Sequence, residues 1–550
     1  MTARDTIKQN LQKVIQELTS KKLGDSLVEL INLEIPKDNN NGDYSSSIAL
    51  QSFRTFKERF IKGEKLSGLE TGIGNPHEMA VKIKELYLKL NDENVKRVEV
   101  AGSGFINFYL SKKYLHSQLK EIISKKNEHG LLDLGKGKKA SVEYVSANPT
   151  GPLHIGNARG GPIGDVLANV LEKVGYRVTR EYLHNDVGGQ VKVLGATIKA
   201  VSEGKRPEEG QYKGEYINEL SEKLKGKLAG KSDEGAGQMA VDIIFQWIMD
   251  DVKKMGISFD AVTKESDLRK KTPPVLKKIE KSLKEKDGAL WFAPNDEFLK
   301  DRETVVKKSN GELTYFSSDI AYHFEKMSKN DLVVDVLGSN HSGHVPRLNA
   351  VAKALGFDAE KLRIILYQYV RVKKGKDVVK MSKRAGDFVT AREVLDEVGK
   401  DAFRFFLLAS RAESHIDFDL ELAKKQASEN PVFYIQYAHS RICSVFKNVE
   451  RITYGDFNIE LLLKREELDL IRHLIKLPTV IREISTLFNV NILTTYSLEL
   501  ASKFHRFYES SRILSEDKDL TYARLTLIKA TQIVLSNTLS LMGISAPEKM

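Results

Sequence analysis

The chain has 550 residues, 41% hydrophobic and 29% charged, an ordinary globular composition too long for one core and sufficient for about three to five units. A single cysteine, Cys443, excludes an intrachain disulfide and a Cys-rich zinc site. The 86 lysines and arginines against 75 aspartates and glutamates give a net charge of +11, which draws in polyanions such as nucleic acid. No apolar run reaches the roughly 18 residues a membrane helix needs, so no membrane partner is expected. The polar opening MTARDTIKQN lacks the apolar core of a secretion signal, and with one cysteine it makes the cytoplasm the expected compartment.

Asp5 to Leu33 carries helical apolar spacing through Ile7, Leu11, Ile15 and Leu18. A polar loop, Pro36 to Asp43, follows. Val98 to Ala101 and Phe105 to Leu110 read as two strands joined by a Gly-rich turn. A helical connector from Lys113 to Asn127 ends at Gly130 and leads into a basic stretch, Gly135 to Lys139. Residues 1–112 are therefore expected to form an α+β domain.

From Ser141 the pattern becomes strand, loop, helix. Val142 to Val145 is strand-like, the turn Asn148-Pro149-Thr150-Gly151-Pro152 follows, and a helix is predicted from about Asn157 to Val174, with Gly175 as its C-terminal cap. Another strand runs from Arg177 to Leu183. This alternation predicts a Rossmann-like parallel sheet with crossover helices over 113–409, interrupted by a charged, mostly helical insertion at about 200–300. Strand patterns return at Leu313 to Phe316 and Asp331 to Leu337. Arg363 to Val372 and Val378 to Met381 read as a hairpin whose tip is the basic Lys373 to Asp377. Beyond Ala409 the spacing is helical. Leu468, Ile471, Leu474 and Ile475 share one face, and past Pro478 so do Ile481, Ile484, Leu487 and Phe488. The last helix, Leu520 to Met542, stops at Gly543. The expected fold is α/β, with the N-terminal α+β domain in front and an all-helical bundle at 410–550.

Two motifs carry chemistry. Pro152-Leu153-His154-Ile155-Gly156-Asn157 lies between a strand and a helix, at the carboxyl edge of the predicted sheet, where such folds bind ligands. Gly156 lets a nucleotide lie against the backbone, His154 is a donor for phosphate oxygens, and the following helix turns its N–H groups toward them. About 225 residues later comes Lys380-Met381-Ser382-Lys383-Arg384-Ala385-Gly386. Attack on an α-phosphate builds charge on the departing pyrophosphate, which two lysines on a loop would meet in the transition state.

In this order the pair resembles the His-Ile-Gly-His and Lys-Met-Ser-Lys-Ser signatures of class I aminoacyl-tRNA synthetases. The longer strings SANPTGPLHIGNARG, KMSKRAGDFVTAREVLDEVGKDAFRFFLLASR and NPVFYIQYAHSRI resemble the bacterial arginyl-tRNA synthetases, as do IPKDNNNGDY, VEVAGSGFINF and SAPEKM. The likeness spans almost the whole chain. Two positions depart from the general signatures. Asn157 stands where the second histidine is usual and donates a hydrogen bond without carrying charge, and Arg384 replaces the final serine.

The resemblance implies an ATP-dependent, AMP-forming ligase that activates L-arginine and loads it onto arginine tRNA. ATP would enter with Mg2+ as a substrate complex, no tightly bound protein metal is expected, and a monomer is expected. It implies that His154, Asn157, Lys380 and Lys383 serve catalysis, and that Pro152 to Asn157 with Lys380, Met381, Ser382 and Lys383 hold ATP. The whole nucleotide signature would run from Ala147, Asn148, Pro149, Thr150 and Gly151 to Asn157. A guanidinium needs planar, paired acceptors. Glu143, at the end of the first strand, and Tyr315 and Asp319, four apart in LTYFSSDIAYH, match the positions that bind it, the tyrosine ring packing on its plane if Asp319 opens a helix. Asn148 matches the position for the substrate's amino group; Ser146 and His154 join the arginine site, and LGSNHSGH offers either Asn340 or His341. Asp186 and Gln190 are expected to line the same cleft. In the helical part, which resembles the family's anticodon-binding domain, Tyr434, Tyr437, His439 and Arg441 suit unpaired bases and phosphates, although Phe433 and Tyr437 are equally suited to a helix core. The N-terminal domain resembles the family's additional tRNA-contacting domain. A catalytically silent RNA-binding relative would lack the two signature lysines. A tRNA-independent nucleotidyltransferase would not need the basic helical region.

Overall fold

The computed structural model describes residues 2–18, 21–36, 38–61, 73–294, 299, 303–375, 377–378, 389–449 and 458–550. Lys380, Met381, Ser382, Lys383 and the rest of that motif lie outside the described residues. Two compact units emerge. One holds Met1–Lys126, Arg451–Lys476 and Lys503–Ile533; the other holds Asn127–Glu450, Leu477–Ser502 and Val534–Met550.

In the first unit, Phe105–Leu110 is the central strand of a three-stranded antiparallel sheet, flanked by Tyr44–Ser46 and Val95–Ala101. Ile106, Phe108 and Leu110 alternate into the core, as a half-buried strand requires, and Tyr87 meets Phe108 edge-on at 5.0 Å. The helical spacing predicted over 5–33 resolves into two helices, Ala3–Leu18 and Lys21–Val28. Helix Arg465–Leu474 packs on Lys112–Lys125, and its Glu467, fully buried, is held by Arg524 Nε at 2.8 Å.

The second unit is built on a five-stranded parallel sheet. In chain order its strands are β1 (Lys139–Glu143), β2 (Arg177–His184), β3 (Ala261–Lys264), β4 (Leu332–Gly338) and β5 (Leu362–Tyr367), arranged β5-β4-β1-β2-β3. The order reverses between β1 and β4, so the crevice above their carboxyl ends is the ligand position of this topology. Burial on both faces accounts for apolar β4, Leu-Val-Val-Asp-Val-Leu-Gly. Helix α1 (Gly160–Lys173) crosses from β1 to β2 and ends at Gly175, whose φ of 93° suits a glycine cap. Helix α2 (Tyr315–Lys329) leads into β4, and helix α3 (Ala391–Leu408) opens with a capping box between Thr390 and Glu393.

Five readings of the elements change. The stretch at 200–300 contains strand β3 and a hairpin, Leu283–Lys286 with Ala289–Phe292, as well as helices. Leu313 to Phe316 is not a strand: Thr314 caps α2, so Asp319 sits in its second turn and does not open it. Arg363 to Val372 divides into β5 and a separate strand, Val370–Lys374, because the first is claimed by the core sheet and the second pairs with Ile416–Asp419. That last strand also breaks the helical run expected beyond 409. Leu487, expected on an apolar helix face, is 60% exposed.

Candidate active site

A cavity of about 320 Å³ opens above the carboxyl ends of β1 and β4. Glu143 from β1 and Asp335 to Gly338 from β4 form its floor, Ser146 to Asn148 and Thr150 to Pro152 one wall, and Tyr315 and Asp319 from α2 another. His154, Asn157, Asn340 and His341 also line it. Glu143, Ser146, Ala147, Asn148, Thr150, Gly151, Pro152, His154, Asn157, Tyr315, Asp319, Asn340 and His341 are thus brought together. Pro149 lines an adjoining depression instead. Leu153, Ile155 and Gly156 point inward and are buried.

The wall after β1 is a strained turn. Val145 and Ser146 have φ of 67° and 35°, a left-handed conformation that costs a β-branched residue of order 1–3 kcal/mol and persists only where the surroundings over-determine it. Here Ser146 Oγ accepts the Leu183 N–H at 3.0 Å, and the Tyr182 hydroxyl donates to the Ala147 carbonyl at 3.0 Å. Further on, Tyr216 donates to the Thr150 carbonyl at 3.1 Å.

His154 caps the short helix Ile155–Ala158: its Nδ1 accepts the Gly156 N–H at 2.8 Å. That contact puts the ring proton on Nε2 and makes Nε2 a donor. The backbone of this turn pairs with the residues that follow the Lys-rich motif. Ala391 N–H donates to the Leu153 carbonyl at 2.7 Å, and Ile155 N–H to Val389 at 3.2 Å. Two segments far apart in sequence therefore meet at one edge of the cavity. Tyr367, at the end of β5, donates to the Asn157 carbonyl at 3.2 Å.

The acidic side is built differently from its sequence reading. Lys326, on α2 and 2% exposed, donates to Glu143 Oε2 at 2.7 Å and Asp335 Oδ1 at 2.6 Å. Both His323 ring nitrogens face oxygens, the Asp319 carbonyl at 2.8 Å and Asp335 Oδ2 at 2.9 Å. Burial pushes the Asp335 carboxyl up, but the Lys326 charge and the His323 hydrogen bond outweigh it and hold the group well below the usual carboxylate range. Burial raises Glu181, whose Oε2 accepts from the Tyr322 hydroxyl at 2.8 Å. Asp319 lies 3.7 Å from His344 Nδ1. Burial and then the His344 charge push the His341 imidazole toward its neutral form. Among the described residues that line it there are three carboxylates and no lysine or arginine.

Asn148 Oδ1 accepts from Asn185 Nδ2 at 2.7 Å, and its Nδ2 donates to Gln190 at 3.3 Å. Gln190 lines the cavity, whereas Asp186 turns away, accepting the Ser266 N–H at 2.9 Å and hydroxyl at 2.6 Å. Sequence reasoning missed Asn185, Tyr212, Tyr216, His344, Tyr367, His323 and Asp335 in the cavity lining, and Lys326 beneath it. Asp335 had a legible signal, being an acid in the middle of an otherwise apolar strand.

In the helix Pro431–Lys447, Phe433 and Tyr437 stack with ring centroids 6.2 Å apart, and the Arg441 guanidinium lies 5.7 Å from the Tyr437 ring. Tyr437 is 40% exposed and Tyr434 half-buried. His439 is buried, its Nδ1 2.9 Å from the Pro547 carbonyl oxygen. Among the described residues no helix is long and apolar enough to cross a membrane.

Comparisons with known proteins agree with this geometry. The model of the arginyl tRNA synthetase N-terminal domain matches residues 4–110, that of the class I (R) tRNA synthetase catalytic domain 118–443, and that of the DALR anticodon binding domain 435–550. The chain is 38% identical to an arginine–tRNA ligase of Carboxydothermus hydrogenoformans over 94% of both chains, and 38% identical to one from Staphylococcus carnosus over 100% of both. The solved arginyl-tRNA synthetase of Thermus thermophilus shares the fold, with a TM-score of 0.78 at 21% identity over 100% of each chain. With its parallel sheet and matches along its whole length, the chain belongs to the arginyl-tRNA synthetases, the class I ligases that supply protein synthesis with arginyl-tRNA.

Proposed function

We propose that the cavity between β1 and β4 binds arginine and ATP side by side and that the chain joins them in two steps. The arginine carboxylate attacks the α-phosphate of ATP, which enters as its magnesium complex; arginyl-adenylate forms and pyrophosphate leaves. A hydroxyl of the tRNA's terminal ribose then attacks the arginyl carbonyl, and AMP leaves. The observation that carries the arginine half is the lining itself, which among the described residues holds three carboxylates and no lysine or arginine, a setting that favours a cation.

Glu143 and Asp319 take the guanidinium, with the Tyr315 ring against its plane. Asn148 takes the α-ammonium, with Ser146 and either Asn340 or His341 completing the substrate's surroundings. ATP lies along Pro152 to Asn157, and His154 Nε2 and the Asn157 amide donate to its phosphates. Lys380 and Lys383 meet the charge that grows on pyrophosphate. Chemistry of this kind rests on positioning and charge stabilisation, with no protein nucleophile. Residues 410–550 hold the anticodon arm through Tyr434, Tyr437, His439 and Arg441, and residues 1–112 add contacts elsewhere on the tRNA. The chain acts as a cytoplasmic monomer.

The test is ATP–pyrophosphate exchange over all twenty amino acids, with and without tRNA. Exchange with arginine alone among the amino acids, and only when arginine tRNA is added, is the expected result. Exchange driven by another amino acid would overturn the assignment of the pocket, and full exchange in nuclease-treated protein would remove the tRNA requirement.

A further inference from the structure

We propose that Lys326, which does not line the cavity, is a positioning residue for arginine recognition: it holds the Glu143 carboxylate at one oxygen and leaves the other directed at the guanidinium. This rests on the reading of Glu143 as a guanidinium partner.

A lysine this deeply buried is rare and costly unless its charge is paired. Lys326 has two partners, Glu143 Oε2 at 2.7 Å and Asp335 Oδ1 at 2.6 Å, and its Nζ stands 4.2 Å from the centre of the Tyr322 ring. Glu143 and Asp335 face each other in register on adjacent strands, β1 and β4. Both line the cavity, while Lys326 does not; it lines a second depression, beside Lys139, Arg177 and Glu181.

The hydrogen bonds give the two carboxylates different jobs. Asp335 has both oxygens engaged, Oδ1 by Lys326 and Oδ2 by His323. Glu143 gives one oxygen, Oε2, to Lys326, and Oε1 has no protein partner among the described residues. Of the two acids on the cavity floor, Glu143 is therefore the one with an acceptor left for substrate. A carboxylate held at one oxygen by a fixed cation presents the other in a fixed direction, which a planar guanidinium needs.

The charges facing Lys326 are Glu143 from β1, Glu181 from β2 and Asp335 from β4, with Tyr322 and His323 on its own helix. Three acids converge on one lysine. Burial raises Glu181, and despite burial the three acids hold Lys326 above the ordinary lysine range. Without the lysine, Glu143 and Asp335 become buried like charges, and one of them gains a proton. Asp335 keeps His323, so Glu143 is the one neutralised, and its grip on the guanidinium weakens.

Steady-state aminoacylation by the full chain tests this with K326M and, beside it, E143Q. In K326M the arginine KM rises about tenfold to a hundredfold, well beyond any fall in kcat, and the ATP KM stays near the parent value. The variant's arginine KM also falls as pH is raised from about 6.5 to 8.5, because Glu143 regains its charge, whereas the parent's stays level. An arginine KM unchanged in K326M while E143Q raises it overturns the inference and leaves the pocket assignment standing. A level pH profile in K326M, or losses spread equally over kcat and both KM values, also overturns it, since a structural defect has that form. An unchanged arginine KM in E143Q removes the pocket assignment itself. Should K326M not fold, D335N is compared with K326M/D335N, which removes charges of both signs together. A higher arginine KM in the pair than in D335N alone supports the role, and equal values overturn it.

Discussion

At the scale of single residues, the acidic floor of the cavity separates binding from stability. Asp319 lines the cavity 3.7 Å from a histidine nitrogen. Asp319→Ala is expected to weaken arginine binding by about 2–5 kcal/mol, the cost of stripping a partner from a desolvated charge. Calorimetric titration with arginine measures it, and an unchanged affinity would put the guanidinium elsewhere. Asp335 is expected to matter more for stability. Its folded pKa is depressed, so its contribution is present above the ordinary aspartate value of about 3.9 and is lost as pH falls through the lower folded value. Lys326 is raised, so its contribution is complete below about 10.4 and is lost only at still higher pH. Asp335→Asn should therefore lower the thermal midpoint at pH 7 and flatten its decline in acid. A decline as steep as the parent's would show that other carboxylates govern acid unfolding. How legible was this site? Glu143 stood out because it precedes the nucleotide loop, and Tyr315 and Asp319 because the family resemblance marks their positions. Lys326 and Asp335 did not, because nothing local says that a lysine on one helix meets an acid on the strand after it and another 183 residues back. The spacing Asp319, Tyr322, His323, Lys326 along one helical face was the available clue.

At the scale of elements, two features make sharp predictions. Val389 and Ala391, in the segment that follows the Lys-rich motif, pair with the backbone of the His154 turn. Lys383→Ala is expected to lower the activation rate by roughly 10²–10³ with arginine binding nearly intact, as for loss of a charge contact made in the transition state. Single-turnover adenylate formation reads this directly; a loss in affinity without a loss in rate would exclude the role. The second feature is the crossing of helices Gly189–Ser202 and Asp233–Lys254. A Cβ on Gly195 would overlap the Asp233 carbonyl oxygen, and one on Gly237 the Val191 carbonyl. Backbone touches backbone here, so Gly195→Ala should force the pair apart and destabilise the fold by about 1–3 kcal/mol, the usual cost of overpacking. A thermal midpoint equal to the parent's would show that the crossing gives way freely. Strands β1, β2 and β4 and the crossover helix were readable because each carries its own pattern, and Gly175 stops the helix. The strand Ile416–Asp419 was not, since four residues of mixed polarity become a strand only beside Val370–Lys374, a tertiary choice.

For the whole molecule, the net charge of +11 and the aromatic pair Phe433–Tyr437 predict two separable tRNA terms. Raising salt should raise the tRNA KM steeply for every tRNA, while the preference for an arginine anticodon persists at each salt concentration. A preference that vanishes with salt would mean that 410–550 supplies only general affinity. The experiment belongs in the full chain, because the helices beyond 409 are shared between the two compact units. That sharing was invisible in sequence, where periodicity reports a helix but not its neighbour. The in-register pairing of Glu143 with Asp335 has one more consequence, for the route by which the chain folds. Strands β1 and β4 pair across a long stretch of sequence, and non-local pairings are the kind that close slowly. A slip of one residue would set a valine opposite Glu143 and turn Asp335 to the other face of the sheet, away from Lys326 and His323. Misregistered sheets would then carry an uncompensated charge and reopen, so the substrate pocket's support also proofreads the assembly of its own floor.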